Sequence, residues 1–175
     1  MDFTKVVQER RSLRNYLDKP VEREKLNYVL EAARQAPSWK NLQCWRFIIV
    51  ENMAGRKSLA ESMGETNPGR KALLTAPIVV VLCAIPSESV VWEGKDMMML
   101  DAGLAMEHLV LAATDQGLGT CWLGMFSEEI ARKTLNVPDN VRVVAMTPLG
   151  YAAEKRNPRP RKALSEIVYY EKWGR

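Results

Sequence analysis

Residues 77–85 read PIVVVLCAI, and residues 96–116 read DMMMLDAGLAMEHLVLAATDQ. The first run is apolar at every position after its proline and rich in β-branched residues. An exposed strand alternates apolar with polar residues, so a strand apolar throughout is covered on both faces. The second run reads as one long helix ended by Gly117, apolar nearly all round. Such a helix belongs in a core or at a subunit interface. Asp101 and His108, seven positions apart on one stripe of it, read as polar groups whose partners lie within the packing. The Met97-Met98-Met99 run reads as core filling.

Outward from these two segments the pattern stays regular. Asp2 to Arg11 forms a short helix with Asp2 or Thr4 as cap, and Val21 to Ala36 a second, with Leu26, Val29, Leu30 and Ala33 along one buried face. Trp45 to Glu51 (WRFIIVE) is a strand. Helices are expected over Asn52 to Met63 and Pro68 to Thr75, a strand from Gly119 to Leu123, a Ser127-capped helix through Leu135, and a last core strand from Val141 to Thr147. The order α, α, β, α, β, long α, β, α, β is that of a mixed α+β protein. At 175 residues, with no repeat or linker, the chain is one domain, residues 1–175.

Composition excludes several classes. No run approaches the ~20 uninterrupted apolar residues of a membrane span, and the first residues carry no signal-peptide pattern. Cys44, Cys83 and Cys121 are an odd, scattered set without CxxC, which fits a reducing, cytoplasmic setting. One histidine and three dispersed cysteines are too few for a zinc site. The net charge is +4, and residues 154–162 (EKRNPRPRK) account for all of it, with five basic residues against one acid. Charge this localised points to a specific anion rather than to a general nucleic-acid surface.

Four stretches carry candidate chemistry. Arg10-Arg11-Ser12-Leu13-Arg14 offers three guanidinium groups and a hydroxyl, a suitable phosphate cradle, although such a run is also common on solvated surfaces. Pro37 to Trp45 (PSWKNLQCW) places Ser38, Asn41 and Gln43 beside indoles, which suits a flat heterocycle or an ordinary helix-stop loop. Arg159 and Arg161 in the basic segment form a second anion candidate or a solvated tail. Residues 117–124 (GLGTCWLG) allow close approach of backbone, or simply end the long helix. GxxxxGK[ST] is absent, and Trp122 stands where GxGxxG needs its third glycine.

Taken in order, these stretches resemble the nitroreductase family of FMN-dependent oxidoreductases over nearly the whole chain. Arg10 to Arg14 is similar to its RRSxR motif, and Pro37-Ser38 through Asn41, Gln43 and Trp45-x-Phe47 to its PSxxNxQPWxF loop. Asp101-Ala102-Gly103 running into Gly117 to Trp122 resembles its central helix and following strand. Pro148-Leu149-Gly150-Tyr151 with Arg159-Pro160-Arg161-Lys162 resembles its C-terminal portion. The resemblance implies a homodimeric, three-layer α+β fold with a central, mainly antiparallel sheet, and a C-terminal tail (about residues 152–175) packed on the partner.

It implies FMN at the dimer interface, its phosphate held by Arg10, Arg11, Ser12, Arg14, Arg159 and Arg161. Pro37, Ser38 and Trp39 would come from the partner chain, and Asn41 would lie near the flavin. Leu123 and Gly124 would present backbone near N5. Arg14, with Lys71 or Arg70, would place positive charge near N1 and O2. Here Cys44 and Trp39 replace a proline and a small residue of the family pattern, and long lid insertions are missing. The implied function is hydride transfer from NADH or NADPH to FMN and on to nitroaromatics, quinones or related acceptors by a ping-pong mechanism. No residue acts as catalytic acid or base, and no metal, nucleic acid or membrane takes part. The alternatives are a specialised flavin enzyme of the same fold, for reductive dehalogenation or flavin remodelling, and a non-catalytic basic binding protein.

Overall fold

A computed structural model describes residues 1–174. Six α-helices are described: α1 (Phe3–Glu9), α2 (Arg23–Arg34), α3 (Met53–Glu61), α4 (Pro68–Thr75), α5 (Met97–Asp115) and α6 (Glu128–Leu135). The strands are β1 (Trp45–Val50), β2 (Ile78–Ala84), β3 (Val91–Trp92), β4 (Lys95–Asp96), β5 (Gly119–Thr120) and β6 (Arg142–Gly150). Local chemistry accounts for most of the helix starts. The side chains of Asp2, Asn52, Asn67, Asp96 and Ser127 each accept a backbone N–H of the turn they open. Gly117 ends the course of α5 at a φ of 71°, in the left-handed region.

The main sheet runs β1-β2-β6-β5, and every neighbouring pair is antiparallel. All seven residues of β2 are buried, as its unbroken apolar run requires. Its even positions Ile78, Val80 and Leu82 pack with Leu26, Val29, Met106 and Leu109 of α2 and α5. Its odd positions Val79, Val81 and Cys83 pack with Leu59, Leu73 and Ala131 of α3, α4 and α6. The period of two in β2 thus divides the interior into two cores, one on each face of the sheet.

By length and hydropathy α5 could cross a membrane. Instead nine of its residues, Asp101 included, are buried in the fold. Its other side leaves Met99, Leu100 and Leu104 exposed, beside an exposed Val91 and Trp92 on the β3–β4 hairpin. That hairpin has no counterpart in the sequence reading, because two-residue strands carry no periodicity. The strand expected over Gly119 to Leu123 shrinks to two residues, with a separate bridge from Leu123 to Met146. Conversely, β6 continues through Pro148 to Gly150. Beyond residue 157 every described residue is exposed, and the only helix there is a 3-10 turn, Leu164–Glu166.

Candidate functional site

The arginine motif lies just past α1 rather than within it. Arg10 closes the helix, its N–H donating to Val6 O at 3.0 Å, and the chain then extends along the edge of β5. Ser12 bridges Thr120 in parallel, the Leu13 N–H donates to Thr120 O at 2.8 Å, and the Leu17 N–H donates to Tyr151 O at 2.9 Å. Two glycines make this possible. Gly119 and Gly150 are paired in the β5–β6 register. A Cβ on Gly119 would come within 2.7 Å of Leu13 Cδ1 and 3.4 Å of the Tyr16 ring, and one on Gly150 within 3.3 Å of that ring and 2.5 Å of Pro77 Cδ. Leu13 and the buried Tyr16 fill the slot so formed, and the Tyr16 hydroxyl donates to Leu13 O at 2.8 Å.

Pinned in this way, Arg10, Arg11, Ser12 and Arg14 line one wall of a cleft of about 500 Å³. The other wall is Arg156, Asn157, Pro158, Arg159 and Arg161. Six guanidinium groups therefore share one cavity, and no carboxylate lines it. Two of those groups are incompletely satisfied: the Nε atoms of Arg11 and Arg14 are buried without a hydrogen-bond partner. Arg56 and Arg132, outside the cleft, also have an unpartnered Nε; what sets the cleft apart is that two such donors lie among six guanidinium groups with no carboxylate lining it, a donor set chemically suited to an anion. Arg159 and Arg161 are exposed, while Arg10, Arg11 and Arg14 are half-buried.

Arg156 and Glu154 were not among the residues singled out from the sequence. Arg156 was present in the basic segment, whereas Glu154 counted there only as the lone acid. In the structure Glu154 accepts from the Arg14 N–H (2.8 Å), from Asn15 Nδ2 (3.2 Å) and from Arg156 Nε and Nη2 (3.0 and 3.4 Å). The Arg14 backbone N–H, then the Arg156 and Asn15 side chains, hold its carboxyl down to about 2. Behind the motif lies the buried Cys121. Burial pushes its thiol up, against the lowering influence of Arg14, Arg156 and Ser12, which leaves it a poor nucleophile.

The remaining sequence candidates lie outside the cleft. Trp39–Asn41 form a 3-10 turn after an extended Ser38, and Lys40, Asn41 and, just beyond the turn, Gln43 have φ values of 48°, 56° and 53°. Three non-glycine residues in the left-handed region need support. The Ser38 hydroxyl accepts the Gln43 N–H at 2.9 Å, and the buried Asp101 of α5 accepts the Trp39 N–H at 3.0 Å. Asp101 also accepts from the Ser89 hydroxyl at 3.4 Å, and His108 Nδ1 lies 3.2 Å from Ala32 O, so both of these polar groups of α5 are partnered within the fold. Pro37 and Asn41 are exposed, and Trp39 is half-buried.

Leu123 is buried and doubly bonded to Met146, with Gly69 of α4 close enough that a Cβ there would lie 2.6 Å from Leu123 Cδ2. Gly124 is exposed. On α4, Arg70 is half-buried with Nη1 3.5 Å from Met63 O, whereas Lys71 is exposed.

Comparison with known proteins agrees with this geometry. The model of the nitroreductase family matches residues 7–151. A nitroreductase family protein of Clostridium novyi NT, whose crystal structure is known, is 38% identical, with a TM-score of 0.84 over 99% of this chain and 96% of that one. An FMN-dependent nitroreductase from Clostridium difficile R20291 is 28% identical, with a TM-score of 0.84 over 95% of this chain and 98% of that one. An FMN reductase [NAD(P)H] of Bacillus subtilis is 26% identical, over 97% of this chain and 74% of its own length. With the fold, the ordered motifs and the family model in agreement over most of its length, the chain belongs to the nitroreductase family.

Proposed function

We propose that the chain is an NAD(P)H-dependent FMN oxidoreductase that reduces nitroaromatics, quinones or related electron-poor acceptors by a ping-pong mechanism. The observation that carries this reading is the cleft of six arginines with two buried, unpartnered Nε donors. A phosphate monoester dianion supplies what those donors lack: compact negative charge with several acceptor oxygens. The residues present therefore fit FMN, whose chemistry when bound is two-electron transfer between nicotinamide and acceptor. The B. subtilis and C. difficile relatives named for FMN support the same cofactor.

In this reading Arg10, Arg11, Ser12 and Arg14 grip the phosphate from one side, and Arg159 and Arg161 from the other. Arg14, with Lys71 or Arg70, adds positive charge near the N1 and O2 edge, where reduction places negative charge. Of the two backbone candidates near N5, Leu123 already donates its N–H to Met146 O at 2.9 Å, which favours Gly124 as the donor. The single histidine lies outside the cleft, with Nδ1 3.2 Å from Ala32 O. The Trp39–Asn41 turn serves the partner's site, and Trp39 narrows it.

A homodimer completes the site in this proposal. The exposed apolar face of α5 and the β3–β4 hairpin form its centre, and the tail from about residue 152 packs on the partner. Its Leu164, Ile167, Tyr170 and Trp173 are more than half exposed here, and Arg175 lies outside the described residues. Buried free thiols at Cys44, Cys83 and Cys121 fit a cytoplasmic setting. The test is spectroscopic: the purified protein should be yellow, bleach anaerobically with NADH or NADPH, and recolour on addition of a quinone or nitroaromatic. Double-reciprocal plots should be parallel. A chain that takes up no FMN would overturn the reading.

A further inference from the structure

Six arginines from two distant parts of the chain repel one another, and the fold must hold them together before any anion arrives. On the RRSLR side the backbone is set by β5. On the other side residues 156–161 have left the sheet and have no strand to set them. One side chain links the two walls. The Glu154 carboxylate takes the Arg14 N–H at 2.8 Å and Asn15 Nδ2 at 3.2 Å from the first wall, and Arg156 Nε at 3.0 Å from the second. A second strap is the Ala153 N–H donating to Asn15 O at 3.0 Å. The ion pair with Arg156 is partly enclosed, the two side chains being 35% and 20% exposed.

We propose that Glu154 is the positioning residue of the anion cleft: it holds the walls at Arg14 and Arg156 in the spacing that a phosphate monoester requires, without touching the phosphate itself. The inference rests on the reading of the cleft as the FMN phosphate site.

Two physical effects at Glu154 have opposite signs, and this makes the proposal decidable. As a bare charge, a carboxylate beside the cleft repels a dianion, so neutralising it would tighten FMN. As a positioning group, its loss leaves Arg156 and the Arg14 N–H without their acceptor and lets the walls part, so FMN weakens. An amide in its place would also turn NH2 donors toward the donors of Asn15 or Arg156.

The experiment measures dissociation constants for FMN and for riboflavin, which lacks the phosphate, by the fluorescence of flavin released on serial dilution of the loaded full chain. Wild type, Glu154→Gln, Glu154→Asp and Asn15→Ala are compared, with melting temperatures recorded alongside. Glu154→Gln should weaken FMN by about ten- to thirtyfold and leave riboflavin within about twofold, so the FMN-over-riboflavin preference collapses. Glu154→Asp should recover part of that preference. Asn15→Ala, which removes one donor without changing charge, should weaken FMN severalfold and riboflavin hardly at all. A merely structural role would instead lower both affinities together with the melting temperature.

Tighter or unchanged FMN in Glu154→Gln overturns the proposal. If that variant does not fold, unchanged FMN affinity in Asn15→Ala overturns it. A wild type that does not distinguish FMN from riboflavin refutes the phosphate reading beneath it, a separate and recognisable failure.

Discussion

Arg11 and Arg161 line the same cleft, yet the structure assigns them unequal weights. Arg11 is half-buried, its Nε has no partner, and its Nη1 donates to Gln8 O at 2.5 Å and Arg10 O at 2.9 Å, which holds the guanidinium in place. Arg161 is exposed, and its one hydrogen bond is to Arg159 O at 3.5 Å. A hydrogen bond to a charged group contributes roughly 1.5–3 kcal/mol where water is excluded. An exposed ion pair contributes ~0–1 kcal/mol.

At about 1.4 kcal/mol per decade, Arg11→Ala should therefore weaken FMN about ten- to a hundredfold, and Arg161→Ala about fivefold at most. Salt separates them further. The screening length falls from about 10 Å at 0.1 M to about 3 Å at 1 M, so the Arg161 effect should vanish in 1 M NaCl while most of the Arg11 effect remains. Flavin fluorescence titrations at the two salt concentrations measure both constants. At saturating FMN each variant should regain most of its turnover, because the chemical step involves the ring and not the phosphate. Equal losses in the two variants, or an Arg11→Ala loss below threefold, would refute the unequal-burial reasoning.

Arg14→Ala should behave differently, with turnover staying low even when FMN is saturating, if its guanidinium faces the ring; full recovery in steady-state assays would confine Arg14 to the phosphate. Gly150→Ala would place a Cβ 2.5 Å from Pro77 Cδ, a ring carbon that cannot swing aside. Overpacking of this kind costs ~1–3 kcal/mol, and calorimetry should show melting lowered by about 2–4 °C per kcal/mol. Asp101→Ala strips the Trp39 N–H of its acceptor beneath a loop, residues 38–43, with three left-handed residues, and should cost ~1–3 kcal/mol in chemical denaturation. Leu100→Glu puts a charge in the centre of the exposed apolar face of α5, and sedimentation should show monomer together with lost flavin; an intact dimer would move the interface elsewhere.

Much of this protein is legible locally. The caps at Asp2, Asn52, Asn67, Asp96 and Ser127 act over two or three residues; the sequence reading names Asp2, with Thr4 as its alternative, and Ser127, and Asp2 and Ser127 do cap their helices. The helix Pro68–Thr75 matches its expected bounds residue for residue, because proline and an asparagine cap mark its start. The unbroken run in β2 shows that both its faces are covered, and the burial of all seven residues follows. The two arginine clusters are visible as local excess charge. Their meeting in one cleft is a tertiary fact.

That meeting depends on the β5–β6 register, which sets Gly119 opposite Gly150 and opens the slot for Leu13 and Tyr16. It depends equally on Glu154, which in the sequence is one acid among five basic residues and in the fold is the acceptor shared by both walls. The same holds for Asp101, whose partner Trp39 lies 62 positions away. Caps and periodic faces are legible because their energies involve neighbours along the chain. Shared acceptors and close backbone contacts take their energy from residues that only the completed sheet brings within 3 Å.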